Sequence, residues 1–464
     1  MTSYQDFINQ KLKSQLPPGI EVRKDELNPL LFDYQRLIVW IALNRGRFLI
    51  GAECGLGKTL MQLEWAKCVC SYLHKPVLIV APLGVAKQTE SEEAIKFNYR
   101  VNICRDKKEL KEGINITNYE MLEHFHNVDL AGVVLDESSI LKNFTGATRN
   151  LLKEVFKDTP YKLCCSATPA PNEFMELLNQ ADFLDIMDTS KALASFFIND
   201  MKSGQWRLKG HATDAFWKWV CSWAIIMEKP SDIGFSDEKY ILPKLIEHTH
   251  LIDVDITNVD DPSLGLFRDV ELSATSYHKE KRLTACDRVM ETESIVSATD
   301  EQFIIWCETN YEADLLKEAI PDAVEVRGSH SPSYREAAID DFKKGKIRVL
   351  ISKPSIFGFG MNFQKCHRAI FCGLSYSYED YYQALKRIHR FGQTHEVTID
   401  IVLGTTEKNI LDTVMEKAAR QAEIKNQMKQ SIKDIQLASL TLENKVFDTK
   451  VATIQLPKFI GGIA

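Results

Sequence analysis

Residues 47–67, RFLIGAECGLGKTLMQLEWAK, constrain the fold of this chain more than any other stretch. An apolar run, a turn carrying Gly55 and Gly57, and apolar residues at helical spacing from Leu60 to Lys67 follow one another, so the segment is expected to run strand, loop, helix. Glycines in such a loop let backbone N–H groups turn inward around a phosphate, in conformations a Cβ obstructs. Lys58 then places a point charge on the β- and γ-phosphates, and Thr59 offers a hydroxyl to Mg²⁺ at a helix N-terminus that favours anions. The generic phosphate loop begins with glycine, where this chain has Ala52; a methyl group there is the mildest available change.

The rest of the chain supports a parallel sheet around that unit. Val77–Ala81, Gly113–Thr117, Ala131–Leu135 and Tyr161–Cys165 are short apolar runs separated by amphipathic helical stretches, the pattern of strands buried on both faces. A second series begins near Gln302, with strands expected at Phe303–Trp306, Ile347–Ile351, Arg368–Cys372 and Val397–Val402. Between the two lies Trp-rich helical sequence from about residue 186. An alternating stretch, Glu247–Ile256, reads as an exposed strand, and a turn-rich segment from Lys229 to Asp237 marks the hinge. The expected class is α/β, with two parallel-sheet domains in tandem and a helical insertion between them. The boundaries are an N-terminal segment 1–27, a first lobe 28–230, a second lobe 231–425 and a tail 426–464.

With 464 residues, 45% hydrophobic and 26% charged, the chain suits two or three soluble domains. No apolar run approaches the roughly 18 residues of a membrane span, and the N-terminus lacks a signal-peptide pattern, so a cytoplasmic location is expected. The eleven cysteines form no C-x-x-C pair and read as reduced, small hydrophobes. His248 with His250, and His124 with His126, each place two imidazoles on one strand face; with no third ligand beside either pair, structural histidines are favoured over a metal site. A net charge of −7 leaves nucleic acid open as a partner, because a local basic groove suffices.

Asp136-Glu137 closes an apolar run downstream of the loop, where a phosphate-loop NTPase needs a carboxylate for Mg²⁺ and a second to polarise the attacking water. Ser166-Ala-Thr-Pro169 ends another run with two hydroxyls, either a sensor of the γ-phosphate or an ordinary turn. Arg387 and Arg390 stand three apart, expected on one face of a helix. They read either as arginine fingers in cis or as a solvated basic face; a phosphate loop in the same chain favours fingers.

Together these motifs resemble the superfamily two helicases, and among them the Swi/Snf-type DNA translocases, over roughly residues 30–420. Phe32–Gln35 is similar to the Q motif, Ala52–Thr59 to motif I in its alanine-initial form, Ala81–Leu83 to motif Ia and Ile116–Glu120 to motif Ib. Asp136–Asn143 is similar to motif II, Ser166–Asn172 with Glu176–Asn179 to motif III, Ser352–Asn362 to motif V and Arg387–Gln393 to motif VI. The resemblance implies two RecA-like lobes, ATP and Mg²⁺ as cofactors, double-stranded DNA as partner, and a monomer. It implies catalytic roles for Lys58, Asp136, Glu137, Arg387 and Arg390; nucleotide contacts from Gln35, Gly55, Gly57, Lys58, Thr59 and Gly360; Mg²⁺ at Thr59 and Asp136; and DNA grips at Thr117, Asn118, Lys142, Thr309 and Ser352. Two departures stand out: Ser139 where motif II usually has histidine, and Glu228-Lys229 where an arginine pair usually precedes the Leu242-Pro243-Lys244 segment. The insertion is short and no reader or nuclease signature is present, as in the compact motors of bacteria and their phages. Translocation along duplex DNA is the implied activity. A strand-separating helicase and a nucleotide-gated clamp on DNA or protein are the alternatives, and a Ser203–His211 patch, mixing an aromatic with basic residues, is either a DNA contact or a solvated loop.

Overall fold

The computed structural model describes residues 18–82, 85–142, 146–171, 173–199, 206–253, 274–357 and 362–448. The chain divides into two compact units, residues 1–240 with 421–464, and residues 241–420. Residues 231–240, read in the sequence as part of the second lobe, therefore group with the first, as does the segment from residue 421.

The first unit is built on a seven-stranded sheet with the order β3-β4-β2-β5-β6-β1-β9. Its strands are β1 (Arg47–Ala52), β2 (Val77–Ala81), β3 (Val101–Ile103), β4 (Ile114–Asn118), β5 (Gly132–Asp136), β6 (Tyr161–Ser166) and, after a hairpin, β9 (Ala224–Met227). Every pairing is parallel, as in Ile50 opposite Cys165 and Leu49 opposite Ala224. β1, β2 and β6 are buried along their whole length, because helices cover both faces, and this is why each reads as a near-continuous apolar run. The antiparallel hairpin β7 (Phe197–Asn199) and β8 (Trp206–Leu208) precedes the helix Thr213–Trp223, whose Phe216, Trp217, Val220 and Trp223 are buried.

The second unit carries six parallel strands: β10 (Leu245–Ile252), β11 (Phe303–Cys307), β12 (Val324–Val326), β13 (Val349–Ser352), β14 (Arg368–Cys372) and β15 (Val397–Gly404), ordered β10-β15-β14-β11-β13-β12. β10 is a half-exposed edge strand, as expected of Glu247–Ile256, though it starts at Leu245 and its burial does not strictly alternate; residues 254–256 lie outside the described residues. His248 and His250 do share a face there, both hydrogen-bonded to Asp400 Oδ1. Among the described residues no group of three or more His, Cys, Asp or Glu side chains is arranged to hold a metal. His124, by contrast, lies in a 3-10 turn, Tyr119–Phe125, rather than in a strand.

The sequence reading missed β3, β9 and β12, each three or four residues long, too short for periodicity to register. β9 in particular continues the Trp-rich helical pattern without a break, and only pairing with β1 distinguishes it. A single 41-residue helix, Lys408–Asp448, ends the described chain. None of the described helices is long and apolar enough to cross a membrane.

Candidate nucleotide site

The carboxyl ends of β1, β5 and β6 bring the first unit's candidate residues together, the place where ligands bind in parallel α/β sheets. After Ala52 the chain turns through Gly55 and Gly57, at φ 89° and 77°. Gly57 is also the N-cap of the helix Lys58–Leu73, in left-handed conformation. A Cβ at Gly57 would stand 2.2 Å from Gln35 Nε2, so only glycine fits. Lys58 Nζ folds over the loop and donates to the carbonyls of Ala52 (2.7 Å) and Glu53 (3.3 Å).

Gln35 is buried and bonded at both ends of its amide. Its Oε1 accepts from Phe32 N (3.0 Å), and its Nε2 donates to Leu56 O (3.0 Å) and to the Tyr34 hydroxyl (3.2 Å). The Tyr34 hydroxyl itself donates to Leu56 O (2.8 Å) and lies 2.9 Å from that of Tyr240. The Q-motif side chains thus brace the phosphate loop from outside. Tyr34 and Tyr240 are separated by 206 residues, which is why no local pattern announces the contact.

Asp136 ends β5, and Gln62 Nε2 donates to its Oδ1 at 2.7 Å. Gln62 was missed in the sequence; its position one helical turn after Lys58, on the face toward β5, is the signal that would have found it. Glu137 adopts a left-handed φ of 60°, uncommon for a non-glycine residue, which takes the chain off the strand. Its Oε1 accepts two hydroxyl bonds, from Ser166 Oγ at 2.7 Å and Ser139 Oγ at 2.8 Å. Burial pushes the Glu137 carboxyl above its usual range, against the pull of Lys58 and of those two hydroxyls. Ser139, in the position where the resembled family has histidine, therefore orients the carboxylate directly. The segment behind it is pinned by Gln180 Nε2 on Ser138 O (2.9 Å) and Asn179 Nδ2 on Lys142 O (3.0 Å).

The donor set fits a magnesium nucleotide. Left-handed Gly55 and Gly57 let backbone N–H groups turn toward a phosphate, Lys58 supplies a cation, and the Thr59 hydroxyl with the single Asp136 carboxylate offers hard oxygens of the kind Mg²⁺ takes in addition to phosphates.

The second unit departs from expectation. Arg387 and Arg390 do not share a helix face, because the helix Tyr378–Leu385 ends before them. Ile388 is fully buried, and the chain tightens there into a turn, with Ile388 and His389 N–H both on Leu385 O. Gln393 holds the turn through Cys366 O and Ile388 O. The two arginines consequently differ: Arg387 is buried, its guanidinium on Gln383 O (2.9 Å) and Oε1 (2.7 Å), whereas Arg390 is half-exposed. Among the expected DNA grips, Thr117 and Ser352 are buried; Ser352 Oγ donates to Val326 O. Thr309 caps a helix, its hydroxyl accepting from Glu312 N, and Asn118 and Lys142 are half-exposed. Gly360, with Leu83, Asn143, Asn172 and Gly358 of the motifs and Ser203–Gln205 of the basic patch, lies outside the described residues.

Two domain families match this chain. The SNF2-related domain matches residues 38–209 and the helicase conserved C-terminal domain residues 284–392. The putative protein p41 of Acyrthosiphon pisum secondary endosymbiont phage 1 is 31% identical over 33% of this chain and 38% of its own length. The mouse (Mus musculus) DNA annealing helicase and endonuclease ZRANB3 is 21% identical over 87% of this chain and 41% of its own. The chain thus spans about two fifths of these curated relatives. The Sulfolobus solfataricus SWI2/SNF2 ATPase core, solved in complex with dsDNA, is 18% identical, covers 94% of this chain and 99% of that one, and superposes with a TM-score of 0.42. With both domain families matched in order, and with the loop, the Asp136-Glu137 pair and the Ser166 turn converging in one unit, the chain belongs to the Swi/Snf type of superfamily two helicases and ATPases.

Proposed function

We propose that the protein is a DNA-dependent ATPase that moves along double-stranded DNA. The observation that carries the hydrolytic part is Glu137, turned off β5 by a left-handed φ and held by two hydroxyls beside the phosphate loop. A carboxylate fixed in that way can accept the proton of an attacking water while Lys58 balances charge on the departing phosphates. Magnesium bound with ATP, held by Thr59 and Asp136, would neutralise phosphate charge. Gln35 would exchange its bond to Leu56 for the adenine edge, and Gly360 remains a candidate nucleotide contact by its motif alone.

Arg390 is assigned the role of arginine finger on the strength of its motif and its half-exposed side chain. Arg387, expected to share that role, is assigned instead to holding the turn, because its guanidinium is buried on Gln383. Thr117, Asn118, Lys142, Thr309 and Ser352 remain the candidate backbone grips, with Asn118 and Lys142 foremost by their exposure. Contacts of that kind carry no sequence information, so tracking is expected to be sequence-tolerant and salt-sensitive. The domain families and the relatives' names favour DNA over RNA as the track. The phage relative fits a bacterial host cytoplasm as the setting.

Steady-state ATPase assays with and without duplex DNA test this reading: stimulation is expected, and its absence would remove DNA from the function. Arg390→Ala should lower turnover by about 10²–10³ while retaining most nucleotide binding. A triplex-displacement assay run beside a fork-unwinding assay separates a translocase, which strips the third strand only, from a helicase. Turnover unaffected by DNA, with nucleotide-dependent DNA binding, would instead mark a gated clamp.

A further inference from the structure

The C-terminal part of the long helix Lys408–Asp448 returns to the first unit and ends the open edge of its sheet. Met428, Ile432 and Leu440 are buried in the first unit's apolar clusters. Beside them Gln436 pairs with the backbone of the edge strand β9 as a neighbouring strand would, its Oε1 accepting from Ile226 N (3.1 Å) and its Nε2 donating to Ile226 O (3.2 Å). Lys429 is ion-paired with Asp232 (2.9 Å) and Glu228 (3.3 Å). One turn earlier, Lys425 Nζ reaches Glu53 Oε2 at 2.9 Å, with both side chains less than one-fifth exposed.

Glu53 is part of the phosphate loop. Its N–H extends the sheet ladder to Met227 O (3.0 Å), its carbonyl accepts from Lys58 Nζ, and its Oε1 accepts from the N–H of Cys54 at 2.8 Å. An acidic side chain inside an anion-binding loop opposes the ligand unless it is neutralised, and at low exposure solvent screens little of that repulsion. The neutralising charge comes from 372 residues away. Burial alone would favour neutral Lys425, yet Glu53 more than offsets it and keeps the ammonium proton held more tightly than usual.

We propose that Lys425 is a positioning residue for the nucleotide site: by neutralising Glu53 it permits the phosphate loop to accept a triphosphate, which makes docking of the C-terminal helix a condition for tight ATP binding. This rests on the reading of residues 52–59 as a phosphate loop. Binding of a fluorescent ATP analogue to the unaltered protein tests that reading by itself, and its absence would overturn both.

Given binding, Lys425→Met should raise KM for ATP about tenfold while kcat stays within about twofold, since an adjacent unscreened charge at partial burial is worth roughly one decade in affinity. Adding Glu53→Gln to Lys425→Met should restore KM to within about threefold of the unaltered protein, because the charge that needed cancelling is gone. Lys429→Met, which alters the same helix away from the loop, should leave KM unchanged. An unchanged KM in Lys425→Met, a double variant no better than the single, or an equal rise in Lys429→Met would each overturn the proposal. Should Lys425→Met fail to fold, Glu53→Gln alone decides: a freed Lys425 ammonium should lower KM, whereas a merely structural ion pair predicts a rise.

Discussion

Two strand-to-helix junctions in this protein begin alike and end with opposite chemistry. In the first unit β1 leads through Gly55 and Gly57 into the helix at Lys58, and the loop's left-handed glycines open its backbone N–H groups toward a ligand. In the second unit β11 runs directly into the helix Asn310–Ala319 with no glycine between. There the Glu312 carboxylate accepts from the N–H groups of Glu308 and Thr309, both at 2.9 Å, and is itself paired with the buried Arg288 at 2.7 Å. A helix N-terminus favours an anion in either case. One junction leaves that anion to be supplied by a nucleotide; the other fills the place with its own side chain. The difference explains why a molecule with two parallel sheets has one candidate triphosphate site among its described residues.

The comparison can be broken at its strongest point first. Lys58→Ala should reduce ATP turnover by about 10³ or more, and a protein still active after that change would remove the first junction's claim to chemistry. Glu312→Ala should instead cost about 3–5 kcal/mol of folding stability, because it leaves Arg288 partly uncompensated in the interior; denaturant titration checks this. Loss of nucleotide binding without loss of stability would show the two junctions to be less different than they look. Gly57→Ala should weaken nucleotide binding by about ten- to a hundredfold, since it combines a left-handed φ with a clash on Gln35.

The smallest effect concerns pH. In the proposed role of proton acceptor Glu137 must be ionised, so its raised affinity for protons is expected to set the acid limb of the rate profile above the ordinary glutamate range. The Ser139 hydroxyl favours the ionised form, so Ser139→Ala should raise that affinity further and move the acid limb to higher pH. Turnover is expected to fall only about two- to fivefold at neutral pH. An unmoved limb would mean that Ser166 alone holds the carboxylate.

Much of this is legible in the sequence. The long buried strands, the loop and the Asp136-Glu137 pair follow from apolar period and from glycine placement, which are local. The short strands β3, β9 and β12 were not, since three or four residues carry no period. Nor was the different placement of Arg387 and Arg390: the spacing of three suggested one helix face, whereas the helix ends at Leu385, Arg387 is buried and Arg390 is half-exposed.

The sequence by itself determined where backbone could turn, which positions carried charge or a hydroxyl, and in what order the motifs occur, because those are properties of neighbouring residues. Only the tertiary structure decided which of those groups meet. That Tyr240 reaches Tyr34, that Ser139 and Ser166 share one carboxylate oxygen, and that Lys425 answers Glu53 all depend on chain segments brought together by burial of a common core. Packing of apolar faces is non-directional and leaves no mark at the partners' own positions in the sequence.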